Sequence, residues 1–340
     1  MDLRDNREPF VPTARDGRRR RVGVIGSFVW DVIHGRDPRD DAVEEWGGIT
    51  YALGGFEAAL PASWEIVPIV KVGYDLAPRA RDFLHRLERV ADDAAPIEVP
   101  YPNNRVTLHY QSAERRCERL SGGVPGWSWR GLKPLLAGLD ALYINLISGF
   151  ELDLETAQLI RAHFAGPIYC DMHSLLLARQ PDGIRALQPL PDAPAWFRCF
   201  DIVQVNEDEM GMMAPDPLAL AAMATAAGVK ALNVTLGPRG VVYVAAPGFD
   251  RLSDLVRNDL TPATGAIRTE LMPAMPARDL SGGDPTGCGD VWGATYFSRL
   301  LAGDDIRSAM RAASAAAARN VDHRGATGLA QYLRGELSVK

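Results

Sequence analysis

The chain has 340 residues, of which 47% are hydrophobic and 24% are charged, and its formal net charge is −6. This composition excludes a mainly disordered chain, and the length allows a large α/β domain. The negative charge argues against nucleic acid as a partner. No apolar run reaches the roughly 18 residues that a membrane-spanning helix needs. The four cysteines lack the spacing of a metal site, which favours reduced thiols and a cytoplasmic location.

Strands and helices alternate through much of the sequence. Residues 1–20 are polar and predict a flexible tail. The short apolar run from Val22 to Phe28 predicts a strand buried on both faces, which is typical of a parallel sheet. Comparable runs follow at 141–147, 167–171, 201–206, 231–236 and 240–245. Helical patterns at 154–164 and 217–227 separate several of them, so the sequence predicts βαβ units with helices on both faces of the sheet.

Two segments, 30–55 and 97–120, interrupt this alternation. In the second, Val106, Leu108 and Tyr110 alternate with polar neighbours, which predicts strands with one solvated face. We interpret the two segments as a small β lid beside the main domain. Paired glycines in the first segment allow the backbone to approach a ligand, although simple turns are an alternative interpretation.

The strongest chemical signal is the motif DPTGCGD at residues 284–290, which opens a helical pattern running to Leu301. A helix N-terminus presents unpaired N–H groups and partial positive charge, so it suits the oxygen atoms of a phosphate. Asp290 lies in the first turn, beside the anion, where a carboxylate is useful as a base for an attacking hydroxyl group. A glycine-rich turn with an acidic helix start is the structural alternative.

The sequence resembles the ribokinase family of carbohydrate kinases, also called the phosphofructokinase-B family. The family signature is approximately DTxGAGD, and Pro285 and Cys288 are the two differences in this chain. The resemblance covers about residues 20 to 330. Four other features occur in family order: Asp31 after the first strand, the glycine pair 47–48, an NxxE motif at 206–209, and residues 234–237 followed by Gly240.

The resemblance implies a three-layer α/β/α domain over residues 21–335, with a central, mostly parallel sheet and a small β lid. Asp290 would be the catalytic base, and the N–H groups of Gly287, Cys288 and Gly289 would form the anion hole. The remaining implied contacts are Thr235, Gly237, Gly240, Asp284 and Thr286 for the nucleotide, Asn206 and Glu209 for Mg²⁺, largely through water, and Asp31, Gly47 and Gly48 for the acceptor.

Three parts of the chain, in the first lid segment, the second lid segment and the NxxE motif, allow more than one interpretation. Ala52 stands where ribokinase-like members have an asparagine that binds sugar hydroxyls, and we expect Tyr51 to form a substitute wall of the acceptor site. Arg105 in the second lid segment suits an anionic or polar acceptor, with a solvated turn as the alternative. Asn206 and Glu209 have the spacing of a helix capping box, which competes with the magnesium interpretation.

The expected function is transfer of the γ-phosphoryl group of ATP to a hydroxyl group of a sugar or related polyol. Mg²⁺ is implied as a cofactor, and many members of the family also use a monovalent cation. A nucleoside kinase of the same fold and a non-catalytic ligand-binding protein are the alternatives. A Walker phosphate loop and a dinucleotide-binding glycine motif after the first strand are both absent. Open strand edges in the lid predict a homodimer.

Overall fold

The computed structural model describes residues 18–34, 42–110, 116–256, 265–276 and 284–337. The strands are β1 (Arg20–His34), β2 (Val43–Gly48), β3 (Trp64–Gly73), β4 (Ile97–Val99), β5 (Asn104–Tyr110), β6 (Arg116–Ser121), β7 (Ala141–Asn145), β8 (Ile168–Asp171), β9 (Leu177–Arg179), β10 (Arg185–Leu187), β11 (Ile202–Asn206), β12 (Ala231–Thr235), β13 (Val241–Ala245) and β14 (Arg268–Met272). The α-helices are α1 (Ile49–Ala59), α2 (Ala77–His85), α3 (Trp129–Leu132), α4 (Leu154–His163), α5 (Ala193–Phe197), α6 (Glu207–Met213), α7 (Pro217–Ala226), α8 (Cys288–Leu301), α9 (Ile306–Val321) and α10 (Leu329–Arg334). None of the helices in these ranges is both long enough and apolar enough to cross a membrane.

The central sheet has the strand order β14-β13-β12-β11-β8-β7-β1-β3-β4. Neighbours from β12 to β4 are parallel, while β13 and β14 add an antiparallel edge. The carboxyl ends of β7, β8, β11 and β12 therefore meet at one edge of the sheet, which is where open α/β sheets bind ligands.

Alternate residues of the central strands supply two cores, one on each face of the sheet. Tyr143 of β7 packs edge-on against Phe56 of α1 and lies near Phe297 of α8. On the opposite face, the side chains of Leu142 and Ile144 join a core that includes residues of α4, α5 and α7. Because strand residues alternate between faces, an apolar run such as 141–147 covers both helical layers. The predicted α/β class with a mostly parallel sheet is confirmed.

The lid is a second set of strand pairs built on the carboxyl-terminal half of β1. There β2 pairs antiparallel and β5 pairs parallel with β1, and β6 pairs antiparallel with β5. Directly opposite residues share a face, so two faces can be defined. We call the face with Val29, Asp31, Glu45 and Val106 the inner face, because its apolar residues pack with Ile147 just after β7. The outer face includes Trp30, Trp46 and Arg105.

Most of the predicted elements correspond to observed ones, with three differences. The run at 240–245 is a strand, but it is antiparallel to its neighbours. Strand β3 and helix α2 occupy a part of the chain for which the sequence analysis made no prediction. The lid segment 30–55 includes the start of α1, because the chain leaves β2 at Gly48 and continues as a buried helix. Residues 1–17 of the predicted tail lie outside the described ranges, and β1 begins at Arg20, so the domain boundaries stay predictions.

Candidate active site

The turn before α8 is fixed by hydrogen bonds from its own residues and from α9. The N–H of Thr286 donates to the Asp284 carboxylate at 2.9 Å, and the Thr286 carbonyl accepts from Nδ2 of Asn320 at 2.9 Å. Gly287, the N-cap residue, has φ of 75°, a conformation that favours glycine. The turn is thus held in one shape before the first helical residue.

Two of the three predicted anion-hole amides are available. The N–H groups of Gly287 and Gly289 have no acceptor among the described residues. The N–H of Cys288 instead donates to the carbonyl of Pro285 at 3.1 Å, closing a turn, which differs from its predicted role. The thiol of Cys288 is held by Asn320, and burial raises its pKa to about 11. This position therefore contributes packing to the turn.

Asp290 lies in the first turn of α8 and is partly exposed. Its Oδ1 accepts a hydrogen bond from Nδ2 of Asn145, the last residue of β7, at 2.5 Å. The sequence analysis did not identify Asn145. The only signal was a polar residue within an apolar strand, and its contact with Asp290 depends on the long-range packing of α8 on β7.

Gln204 is a second buried residue that the sequence did not indicate, and its side chain holds the carbonyl of Gly289 at the start of α8. Nε2 of Gln204, in β11, donates to the carbonyl of Gly289 at 3.1 Å and to Oδ2 of Asp171 at 2.9 Å. The hydroxyl of Tyr169 donates to Oε1 of Gln204. Burial raises the pKa of Asp171 well above its ordinary value, and the charges of Glu209 and Asp290 act in the same direction.

Asp31 and Gly47 lie in contact on the inner face of the lid, and Gly48 follows where α1 begins. A Cβ atom at Gly47 would overlap the carboxylate of Asp31, so only glycine allows this approach. The hydroxyl of Thr50 donates to the Gly47 carbonyl at 2.9 Å and fixes the start of α1 against Gly48.

Tyr51 joins this acceptor side to the turn before α8. The residue is 1% exposed, and a Cβ atom on Gly287 would overlap its ring. Its hydroxyl has no hydrogen-bond partner among the described residues. Burial raises the pKa of Tyr51 far above its ordinary range, and the carboxylates of Glu45, Asp31, Asp284 and Asp290 raise it further. Asp31 and Asp290 therefore both act on the same buried phenol.

Arg105 does not reach the acceptor side. It lies on the outer face of the lid, opposite Trp30 in the strand register, and its guanidinium pairs with Asp75 at 2.7 Å. The prediction that Arg105 contacts an anionic acceptor is thus not supported, because strand alternation directs it away from Asp31. Trp30 and Trp46 pack against each other on this same outer face.

Asn206 and Glu209 form the capping box of α6. The Glu209 carboxylate accepts from the N–H of Asn206 at 2.8 Å, from Nδ2 of Asn206 at 2.5 Å, and from Nδ1 of His173 at 3.0 Å. Both of its oxygens are occupied and the residue is 2% exposed. These residues do not fit direct ligation of Mg²⁺, and no group of three or more candidate ligands occurs within the described ranges.

The His173–Glu209 pair makes a testable contribution to stability. Burial alone would lower the pKa of His173, but Glu209, Asp171 and Asp290 raise it from 6.5 to about 9. A pKa that is higher in the folded state stabilises the fold below the unfolded value and loses that effect as the pH rises through the folded value. We therefore expect His173→Gln to destabilise the protein by about 1 kcal/mol near pH 6, a value reduced by solvent screening of a side chain that is 34% exposed.

Urea unfolding of wild type and His173→Gln across the pH range measures this contribution. The difference in unfolding free energy should shrink towards zero as the pH rises past about 9. His163→Gln serves as the control, because His163 is exposed and Nδ1 of its ring donates only to the Leu159 carbonyl of its own helix. A constant difference at every pH would contradict the assignment of a charged His173.

The predicted nucleotide contacts lie at the neighbouring strand end. Thr235 ends β12 directly beside Asn206, and its hydroxyl donates to the Val205 carbonyl at 3.4 Å. A short 3-10 turn from Gly237 to Arg239 follows, and Gly240 has φ of 105° where β13 begins. This strand end and the turn before α8 both border the carboxyl edge of the sheet.

Comparison with known proteins agrees with this architecture. Residues 178–331, somewhat less than half of the chain, match the model of the pfkB family of carbohydrate kinases. No curated protein matches the chain. Eight solved structures that resemble it share 14–17% identity with the chain.

Three of these structures show the different kinds of kinase that share this fold. A pyrophosphate-dependent kinase of the ribokinase family, complexed with a pyrophosphate analogue and myo-inositol, has a TM-score of 0.68 and 15% identity, with 89% of this chain and 96% of that chain covered. A Burkholderia thailandensis nucleoside kinase in complex with inosine has a TM-score of 0.64 and 16% identity, covering 93% and 95%. Arabidopsis thaliana ribokinase complexed with ribose and ATP has a TM-score of 0.61 and 15% identity, covering 93% and 99%.

The fold is therefore that of the ribokinase-type kinases: a mostly parallel sheet between two helical layers, with strands that extend from it as a lid. The particular resemblance is to the pfkB carbohydrate kinases, whose sequence model matches the carboxyl-terminal part of the chain, including the motif before α8. The predicted family resemblance is confirmed.

Proposed function

We propose that this protein is a kinase that transfers the γ-phosphoryl group of ATP to a hydroxyl group of a sugar or related polyol. The observation that carries the proposal is the first turn of α8, where two unpaired amides stand beside a partly exposed carboxylate. Tyr51 contacts this turn and lies near Asp31, so the proposed donor and acceptor elements are neighbours.

The proposed reaction is a single displacement at the γ-phosphorus of ATP. Asp290 takes the proton of the acceptor hydroxyl as its oxygen attacks the γ-phosphorus. The bond between that phosphorus and the bridging oxygen breaks, and ADP leaves with the electron pair. The N–H groups of Gly287 and Gly289 donate to oxygens of the phosphoryl group as negative charge accumulates on them. Closure of the lid over the acceptor excludes water that would otherwise hydrolyse ATP.

The inner face of the lid favours a neutral acceptor. It carries the carboxylates of Asp31 and Glu45 among apolar residues, and Oε1 of Glu45 is buried without a partner among the described residues. A third carboxylate of this face, that of Glu118, is paired with Arg185. Arg105, the cation predicted for an anionic acceptor, is paired on the outer face. A phosphorylated acceptor would meet like charge, whereas a polyol offers hydroxyl donors to these carboxylates. The two lid tryptophans face away from this side and so offer no stacking surface for a nucleobase.

The remaining expectations from the family resemblance stay predictions. Asn206 and Glu209 do not fit a directly bound Mg²⁺, and their contact with Mg²⁺ through water stays an expectation. A monovalent cation, a homodimer formed through the lid and a cytoplasmic location are likewise expectations. Asp284, Thr286, Thr235, Gly237 and Gly240 are proposed to border the nucleotide.

An acceptor and donor screen tests the proposal. The full-length protein is supplied with ATP or pyrophosphate and with sugars, polyols, nucleosides and matched phosphorylated sugars, and product formation is followed directly. We expect transfer from ATP to a neutral sugar or polyol, with its phosphorylated counterpart at least about 100-fold poorer because of like-charge repulsion. A nucleoside as best acceptor would favour the nucleoside kinase, and binding without transfer would favour a ligand-binding protein. Exclusive use of pyrophosphate would overturn the assignment of ATP.

A further inference from the structure

Asn145 is a buried amide placed directly against the proposed base. It ends β7, has 0% exposure, and donates through Nδ2 to Oδ1 of Asp290 at 2.5 Å. We propose that Asn145 is a positioning residue that holds the Asp290 carboxylate in its reactive orientation and in its ionised form. This inference rests on the proposed function, since it assigns a role to the group that supports the base.

The chemistry of the amide explains why asparagine suits this position. Nδ2 can only donate hydrogen bonds, and a donor facing a carboxylate oxygen stabilises the charged form. Such charge-assisted bonds are shorter and stronger than neutral ones. The bond to Asn145 limits rotation of the Asp290 side chain and so fixes the direction in which its carboxylate points.

Acidic and basic groups both lie near Asp290. The charge of Asp290 is one cause of the raised pKa of Asp171. His173, with a pKa raised to about 9, acts in the opposite direction. The described titratable groups that respond to the charge of Asp290 are Tyr51, Tyr143, Asp171, His173 and Cys288. Of these, only His173 is cationic, and it is already paired with Glu209.

The backbone next to Asp290 is held without the help of Asn145. Gln204 fixes the Gly289 carbonyl, and Asn320 fixes the Thr286 carbonyl. A truncation at Asn145 should therefore release the side chain of Asp290 while the turn keeps its shape. This separation makes the positioning role testable by substitution.

The test compares Asn145→Ala and Asn145→Asp with Asn233→Ala. Asn233 is the matched control because it is also a fully buried strand asparagine, and it lies in β12 away from Asp290. We expect Asn145→Ala to lower kcat about 10- to 100-fold with little change in KM, the effect of losing a hydrogen bond to a charged group. The acidic limb of the pH–rate profile should move to higher pH, because the protonated acid is then favoured. Asn145→Asp should move it further, since it adds a like charge.

Asn233→Ala should lower thermal stability and leave kcat and the pH profile close to wild type. If Asn145→Ala merely matches that control, the positioning role is wrong. In an Asp290→Asn background, loss of Asn145 should cause no further decrease in kcat, because the interaction is already gone. If Asp290→Asn itself stays active, the proposed function fails. If Asp290→Asn is inactive while the pH profile of Asn145→Ala is unchanged, only the inference fails.

Discussion

Asp290→Asn is expected to reduce phosphoryl transfer by about 10²- to 10⁴-fold, the usual contribution of a positioned general base. The asparagine side chain is nearly isosteric, so the turn before α8 and its two unpaired amides should keep their geometry. Donor and acceptor should still bind, because Gly287, Gly289 and Asp31 are unchanged. The measurement is kcat and KM for both substrates, with calorimetric binding of each substrate to the variant.

Asp305→Asn is the control for removal of an acidic residue at a helix start. Asp305 caps α9, at the opposite end of α8, through a bond from the Ser308 N–H at 2.8 Å, and asparagine caps helices equally well. We expect this variant to keep wild-type turnover. An Asp290→Asn protein with turnover close to wild type would show that the carboxylate is not the base.

The region around Asp290 could be predicted because its signals are local. A glycine-rich turn followed by a helical pattern indicates free amides at a helix start, and the acidic residue in the first turn is part of the same short segment. The strands at 141–147 and 201–206 were equally accessible, since apolar runs of that length indicate buried parallel strands. The alternation of elements then predicts which strand ends share an edge of the sheet.

The other contacts of the site depend on strand register and on long-range packing, so the sequence alone did not predict them. Asn145 and Gln204 are single polar residues in apolar strands, and their contacts with α8 follow from how the helix crosses the sheet. The prediction for Arg105 was not supported for a related reason. Which face of the lid Arg105 occupies follows from its pairing with Trp30, and no local sequence pattern specifies that pairing. The order and spacing of the NxxE motif favoured the magnesium interpretation of Glu209 over the capping box. They did not indicate the contact with His173, which reaches Glu209 from the segment after a different strand, β8.

Gly287→Ala is expected to lower kcat by about 10²- to 10³-fold, the effect of losing one donor of an anion hole. A Cβ atom at this position would overlap the buried ring of Tyr51, and φ of 75° is itself unfavourable for alanine. The turn must therefore move, and the N–H groups of residues 287 and 289 move with it. Because Tyr51 is a residue of α1 and its side chain is fully buried, the ring has little room to move away.

Gly248→Ala is the control that separates displacement of the turn before α8 from the backbone strain of an alanine with positive φ. Gly248 has φ of 76°, almost the same as Gly287, but a Cβ atom there meets no atom within 4 Å, and the turn lies after β13. Both variants should lose a similar amount of stability from the left-handed conformation, measured by urea unfolding. Only Gly287→Ala should lose turnover, and Tyr51→Ala in that background should recover part of it by removing Cγ and Cδ1, the atoms nearest to the added Cβ. If Gly287→Ala keeps wild-type turnover despite a matched loss of stability, the amides at the start of α8 do not hold the transferred group.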